Sequence, residues 1–521
     1  MVVSSARMAI TGHCTSIVHR SLPVSSRTTV SLATLLVLIM AFILPASIAF
    51  AQSTNMPEEL RAVKITNVAS DVLFSDESIA EAMDYLASIG INAILPVVQN
   101  GGYTQFYSEV MDEYFDRPLD PRLNGRDVLE VVLREAHRNG IEVYPWFEYG
   151  FAAHYSGPNG PATGGFIGAT YPHWMSVDHE GNVCKKNGFD WISGINPDVQ
   201  EFMLKLIMEV VRKYDIDGIE FSDRMPALPR ECGYDEGTVA LYRSEHDGAD
   251  PSPFPRNATW TRWRAGKLND FYRAVRDSVK TYDEELFVAS SPNIYPWGYN
   301  EYLQDPVTWA SEGIVDHLIP QLYRYNIDDY NFELNKTLTD LPEEVRSIYF
   351  AGILMNVGSY TISEEYLRAS IESNRAMGVA GEAYFFYEGL RQNNNALGDM
   401  LGREYYYEPA TIPGRNGEIR RVATSIDEYQ DVNPGTVLLA GNYPNPFNPS
   451  TQIRFELPTG SAVELGVYTV TGQRVATLID EWLPAGTHRV SFDAGNLTSG
   501  VYVYRIRAGD RTQSMKMTLV K

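Results

Sequence analysis

Cysteine is scarce in this chain: 521 residues hold three, Cys14, Cys184 and Cys232. So few exclude a disulfide-dense scaffold, and without histidines at matching spacing they do not make a zinc site. Positive charge is also in short supply, with 43 Lys and Arg against 66 Asp and Glu and a net charge of −23. That balance excludes a nucleic-acid partner, which needs a basic face. The marked apolar run, Leu32 to Leu44, is thirteen residues long, short of the roughly 20 that span a bilayer. No transmembrane segment is therefore expected in the mature chain. No strand-like run leads into a Gly-x-Gly-x-x-Gly or phosphate-loop pattern, and the histidines and acids show no tight ligand spacing. Neither a cofactor nor a catalytic metal is expected.

Acids are missing from the N-terminus as well: none precedes Glu58, whereas Arg7, Arg20 and Arg27 lead into the apolar run and Ala49-Phe50-Ala51 follows it. Basic, apolar and small residues in that order read as a secretory signal peptide over 1–51, cleaved before Gln52. Export opens an oxidising compartment in which Cys184 and Cys232 can pair; two free thiols is the alternative.

What is present, from Arg61 to about Phe386, is regular alternation. Short β-branched runs are expected as strands at 62–66, 93–97, 142–147, 218–221, 287–290, 317–322, 347–353 and 381–386. Between them apolar residues recur at helical spacing, as in Ile79, Ala82, Met83 and Leu86, or Phe202, Leu206 and Val210 after Pro197. Helices that carry the chain back between strands make the strands parallel, and eight such units favour a closed TIM (β/α)8 barrel, assigned to 57–407. The polar stretch 408–436 reads as a linker. From 437 to 521 the pattern changes to alternating strands punctuated by Gly472, Gly486 and Gly500, a small immunoglobulin-like β-sandwich. The expected fold class is thus α/β followed by an all-β unit.

In a barrel the chemistry sits where strands end. The run Asp217-Gly218-Ile219-Glu220-Phe221-Ser222-Asp223-Arg224 delivers acids to such an end, where they must face water, a partner or a substrate. Strand alternation points Glu220 into the upper barrel and lets Asp223 overhang the mouth. Asp223, Glu220 and Glu148 are the candidate catalytic residues, since paired carboxylates suit acid/base cleavage of a glycosidic bond. Trp146, Asn196, Arg224, Asn293, Gln321 and Tyr323 are the candidate substrate-binding residues. Glu382 and Glu388 are further acids near the last strand. Tyr103, Tyr149, Trp174, Trp191, Tyr295, Trp297 and Tyr387 add flat rings of the kind that stack on sugars. His317, inside a strand, reads as a satisfied barrel residue.

Two resemblances sharpen this reading. Asn442-Tyr443-Pro444-Asn445-Pro446-Phe447-Asn448-Pro449, Val467-Tyr468, Ser499-Gly500-Val501-Tyr502 and Met515-Lys516-Met517 resemble the type A C-terminal sorting domain of the type IX secretion system. That implies export through the periplasm and outer membrane, by the type IX machinery, to the cell surface or the medium. From Glu59 to about Tyr407 the chain is similar to the glycosyl hydrolase-like 10 (DUF187) family. The matching residues are Glu59 to Val63, Gly140 to Val143, Pro145-Trp146-Phe147, Ile195-Asn196-Pro197, Tyr214 to Ile219, Asp223-Arg224, Pro226 to Pro229, Trp263-Arg264 and Pro320 to Tyr323. This resemblance implies a secreted glycoside hydrolase acting on the O-glycosyl bonds of a polysaccharide, with bacterial cell-wall glycan among the substrates. The family pattern carries two aspartates where this chain has Ser222-Asp223, and an aromatic where it has Lys64. A non-catalytic surface glycan-binding protein that has lost a carboxylate is the alternative.

Overall fold

The computed structural model describes residues 56–421, 438–443, 447–457, 459–469, 473–509 and 511–521. The expected signal peptide and the later part of the expected linker lie outside the described residues. Eight parallel strands form at the places where β-branched runs were expected: β1 (Leu60–Ile65), β2 (Ala93–Asn100), β3 in two pieces (Glu142–Val143 and Trp146–Phe147), β4 (Gly218–Phe221), β5 (Phe287–Ser290), β6 (His317–Leu318), β7 (Ala351–Leu354) and β8 (Gly381–Phe385). Their order is β6-β5-β4-β3-β2-β1-β8-β7. Parallel bridges from Leu318 to Tyr349 and from Gln321 to Gly352 join β6 to β7 and close the ring. Each residue of β1 and of β2 is buried, as expected of parallel strands covered on both faces.

The returning helices form for local reasons that are visible in sequence. Ser75, Asp127, Asn196, Asn257 and Ser363 each accept a backbone N–H and so cap α1 (Asp76–Ser88), α2 (Val128–Arg138), α3 (Pro197–Lys213), α4 (Ala258–Tyr282) and, later, the helix Glu364–Ala376. The predicted stripe Ile79, Ala82, Met83 and Leu86 is the buried face of α1. Phe202, Leu206 and Val210 are likewise buried on α3.

After β3 the chain makes a long excursion before α3. It folds as a small antiparallel ribbon of 152–155, 189–191 and 185–186. Cys184 in this excursion is disulfide-bonded to Cys232 in the loop after β4, with Cα atoms 5.9 Å apart. The two loops that follow the central acidic strands are therefore stapled to each other.

At the opposite end of the barrel, the first part of the expected linker packs onto the strands. Thr411, Ile412, Pro413 and Arg415 are buried. Arg415 donates to both carboxylate oxygens of Glu142, the shortest contact being 2.7 Å, and to the backbone oxygens of Asp217 and Glu285. Asp217 is fully buried here, taking bonds from Arg420, Arg421, His137 and the amide of Val143. Burial opposes its charge, but those donors, His137 first, hold its carboxyl below the usual range. The run that opens with Asp217 thus spans the barrel from floor to mouth.

Among the described residues, the C-terminal unit consists of two antiparallel sheets. One contains Leu438–Tyr443, Ser450–Leu457 and Gly486–Asp493; the other contains Arg474–Leu483, Ser461–Thr469, Gly500–Ala508 and Arg511–Leu519. Ile453 and Phe455 from the first sheet and Leu465, Val467, Tyr504, Ile506 and Met517 from the second share one buried cluster. It is a β-sandwich with its own core, as expected.

Candidate active site

Glu220 lies deepest. Its neighbours in register are Trp146 on β3 and Ala289 on β5, and it is fully buried inside the barrel. Its Oε1 accepts from Lys64 Nζ on β1 at 2.8 Å, and the same ammonium sits 4.1 Å from the centre of the Trp146 ring. Burial raises the Glu220 carboxyl pKa, and Lys64 opposes the rise. Glu220 is therefore half of a buried ion pair, not an acid standing free at the mouth. Lys64 was not among the expected site residues. A lysine within the apolar run Ala62-Val63-Lys64-Ile65 was nevertheless a signal, because a buried ammonium requires a partner.

One layer higher, Arg224 organises the other two acids. Its Nη2 donates to Glu148 Oε1 at 3.1 Å, and its Nη1 lies 3.5 Å from Asp223 Oδ1. The nitrogens of one planar guanidinium are rigidly close, so the two carboxyl groups stand no more than roughly 9 Å apart, below the upper end of the span that glycosidic cleavage uses. Arg224 Nε also donates to the backbone oxygen of Glu148, as does Ser222 Oγ at 2.5 Å. Ser222 thus ties the loop after β4 to the loop after β3 with its side chain fully buried. Gly150 permits this closeness: at φ +52° it has no side chain, and a Cβ there would meet Met225 Cβ at 2.5 Å and Arg224 O at 2.7 Å.

Glu148 is 18% exposed and also accepts from Asn100 Nδ2. Asn100 in turn donates to Asn67 Oδ1 at 2.9 Å, so the ends of β1, β2 and β3 are linked by amides. Burial pushes the Glu148 carboxyl pKa up; Arg224 pulls it down and Asp223 pushes it up again. Asp223 is the more open of the two, 26% exposed. Burial first, then the charges of Asp223, Glu220 and Glu148, hold the Tyr323 phenol well above its ordinary value and keep it a proton donor. Trp146 is buried, and its Nε1 has no partner among the described residues.

The remaining expected residues divide. Asn293 donates to Gln304 Oε1 at 3.0 Å, Gln321 donates to Ser291 O at 3.2 Å, and both line a cavity with Tyr323. Asn196 caps α3 and donates to His173 O, so both ends of its amide are engaged. Trp174 stacks on Tyr171 with ring centres 4.3 Å apart, and Trp191 packs on Tyr302, so both are core residues and not cleft walls. Glu382 is buried near the start of β8 with Tyr406 and Asn374, away from the mouth, whereas Glu388 accepts from Ser70 at the rim. His317 is buried with Nε2 against Pro413 O at 3.0 Å, but its Nδ1 has no partner among the described residues, so the expected satisfied histidine is only half satisfied.

The protein of Bacillus subtilis named Glycosyl hydrolase YngK is 22% identical over 406 residues, covering 70% of this chain and 76% of that one. Glycosyl hydrolase DigH of Escherichia coli K12 is 24% identical over 324 residues, covering 56% and 68%. A solved structure, α-L-fucosidase isoenzyme 2 from Paenibacillus thiaminolyticus, superposes with a TM-score of 0.48 at 18% identity over 67% of this chain; the match spans about half of that protein, 49%. No described helix is long and apolar enough to cross a membrane. The secretion system C-terminal sorting domain family matches residues 442–521 and marks the protein for export to the cell surface or the medium. The profile named Glycosyl hydrolase-like 10 matches residues 59–367, more than half of the chain and most of the barrel. The chain belongs to the glycosyl hydrolase-like 10 family.

Proposed function

We propose that this protein is a secreted glycoside hydrolase in which Glu148 is the general acid and Asp223 the nucleophile or base. The observation that carries the reading is Arg224, whose single guanidinium holds the two carboxyl groups at the mouth while leaving them in different surroundings. Burial favours the protonated form of Glu148, which an acid must have before it can protonate a leaving oxygen. Asp223 is the more exposed of the two and lies beside the guanidinium, the placement that a nucleophile or base needs. Glu220 and Lys64 form a fixed floor of opposite charges beneath them and act as positioning residues. Tyr323 offers a phenolic proton to a sugar hydroxyl or to the reacting oxygen, and Trp146, buried with the Lys64 ammonium over its ring, braces the floor instead of stacking on sugar. Of the polysaccharides, bacterial cell-wall glycan is the substrate class we favour, on the family resemblance. The sequence before Gln52 acts as a cleaved signal peptide in the same reading.

A second reading, glycan binding without turnover, is favoured by one observation. Ser222 occupies a position where the family pattern has an aspartate, and its hydroxyl is spent on Glu148 O. The two are separated by incubating the mature protein with peptide-free bacterial glycan and counting new reducing ends. Hydrolysis that falls by roughly a hundredfold or more in Glu148→Gln and in Asp223→Asn, with circular dichroism unchanged, is the expected result. Glycan retained on the protein with no new ends would establish the binding reading instead.

A further inference from the structure

Two cavities lie at different strand ends of the barrel mouth, neither of them lined by Glu148, Asp223 or Glu220 themselves. The first, about 930 Å³, lies at the ends of β1 and β8 and is lined by Asn67, Ser70, Glu388, Asn394 and Asn395. The second, about 660 Å³, lies at the ends of β5 and β6 and is lined by Asn293, Trp297, Gln321 and Tyr323. Both fall in the size range of cavities that take several-ring ligands. Each is connected to the acids by named groups. Asn67 bonds Asn100, and Asn100 bonds Glu148. Tyr323, on the other side, is within electrostatic reach of Asp223, Glu220 and Glu148.

Each cavity also presents an unspent recognition group. Asn67 is 3% exposed, and its Nδ2 has no partner among the described residues, although the residue lines the first cavity. A buried amide of this kind is costly unless a ligand or water meets it. Asn393, Asn394 and Asn395 all adopt positive φ, a bend that carries the last two side chains to the same cavity. In the second cavity Trp297 is 46% exposed, a large indole offered to solvent at the rim. The arginines of the two walls are already paired, Arg122 with Asp120, Arg391 with Glu81 and Arg324 with Glu333. Apart from the exposed carboxylate of Asp71 in the first cavity, the groups that remain are amides, hydroxyls and a ring, which is the chemistry of sugar recognition.

We infer that the site is a cleft open at both ends, with one sugar-binding arm at β1/β8 and another at β5/β6, so that it binds an internal stretch of a linear glycan and cuts within the chain. A pocket that trims ends needs one closed side, whereas here both sides carry space and binding groups. The inference rests on the hydrolase reading for its chemistry and on the two cavities for its geometry.

Peptide-free bacterial glycan strands, graded by length from the disaccharide upward, test it with the mature full chain. Average strand length is expected to fall early, before disaccharide accumulates. In an Asp223→Asn background, Trp297→Ala and the double change Asn394→Gly with Asn395→Gly are each expected to weaken binding of long strands roughly three- to tenfold. Glycine keeps the positive φ, so the second variant removes amides without straining the bend. Affinity for the disaccharide is expected to change less in both. Release of small sugars from the first time point, with the remainder staying long, would overturn the inference and leave the hydrolase reading standing. Length-dependent binding that both arms weaken, without new reducing ends, would uphold the cleft and overturn the hydrolase reading. Affinity that is independent of length, or that only one arm affects, would overturn the two-armed cleft.

Discussion

Glu382 and Lys64 show what single charges do inside this barrel. Glu382 is fully buried, and burial, with the nearby charge of Glu59, pushes its carboxyl up to about 7. The folded chain therefore keeps a proton there that the unfolded chain releases near the ordinary value of 4.5. Stability from this group is complete below about 4.5 and is lost as pH rises through about 7, by roughly 3 kcal/mol. His317 works in the opposite sense: burial lowers it to about 4, so its contribution is complete above 6.5 and is lost on acidification toward 4. The difference between wild type and Glu382→Gln isolates the first effect. Wild type is expected to gain stability over the variant as pH falls from 7 to 5, measured by chemical denaturation. Lys64→Met makes a second case. It leaves Glu220 buried without its cation and is expected to cost about 3 to 5 kcal/mol, with most of the loss recovered in Lys64→Met with Glu220→Gln. A denaturation midpoint that stayed unchanged in the single variant would show that Glu220 is already protonated in the folded protein.

At the scale of elements, the segment 411–421 behaves as part of the barrel. Arg415 and Glu142 are each 4% exposed, and Arg420 and Arg421 both reach Asp217. A chain ended after Tyr407 strands Glu142 and part of the bonding of Asp217. It is expected to be less stable by several kcal/mol, about 3 to 5 for Glu142 alone, than a chain ended after Arg421. Equal thermal midpoints for the two would refute this. The same segment shows why some of the structure was legible in sequence and some was not. The strands were legible because a parallel barrel strand is a short β-branched run with a turn on either side, and the acids at their ends because carboxylates there have few other roles. Glu148, Asp223, Gln321 and Tyr323 all lie just past strand ends, where that pattern places them. Pairs such as Lys64 with Glu220, 156 residues apart, or Arg415 with Glu142, 273 apart, leave no local pattern. Their composition reads as linker or as an odd residue in a strand. The roles of Trp174 and Trp191 were missed for the converse reason, since an aromatic beside a loop looks alike whether it lines a cleft or fills the core beneath it.

At the scale of the whole molecule, the described residues form two hydrophobic cores, one in the barrel and one in the sandwich. Units with separate cores are expected to unfold separately. Calorimetry of the mature chain should show two transitions, with the barrel transition retained in a chain ended after Arg421. One transition shared by both units would argue against independence. The disulfide adds a tie of a different kind, fastening the excursion after β3 to the loop after β4, and so holding together the stretches that carry Glu148 and Asp223. The buried arginine at residue 415 is also the last part of the barrel in chain order. β3 and β4 both precede it, so a chain that stops short of it closes with Glu142 lacking its cation. A product cut between Tyr407 and Arg415 loses the sorting domain and this latch together, and is expected to be degraded as a loosely closed barrel.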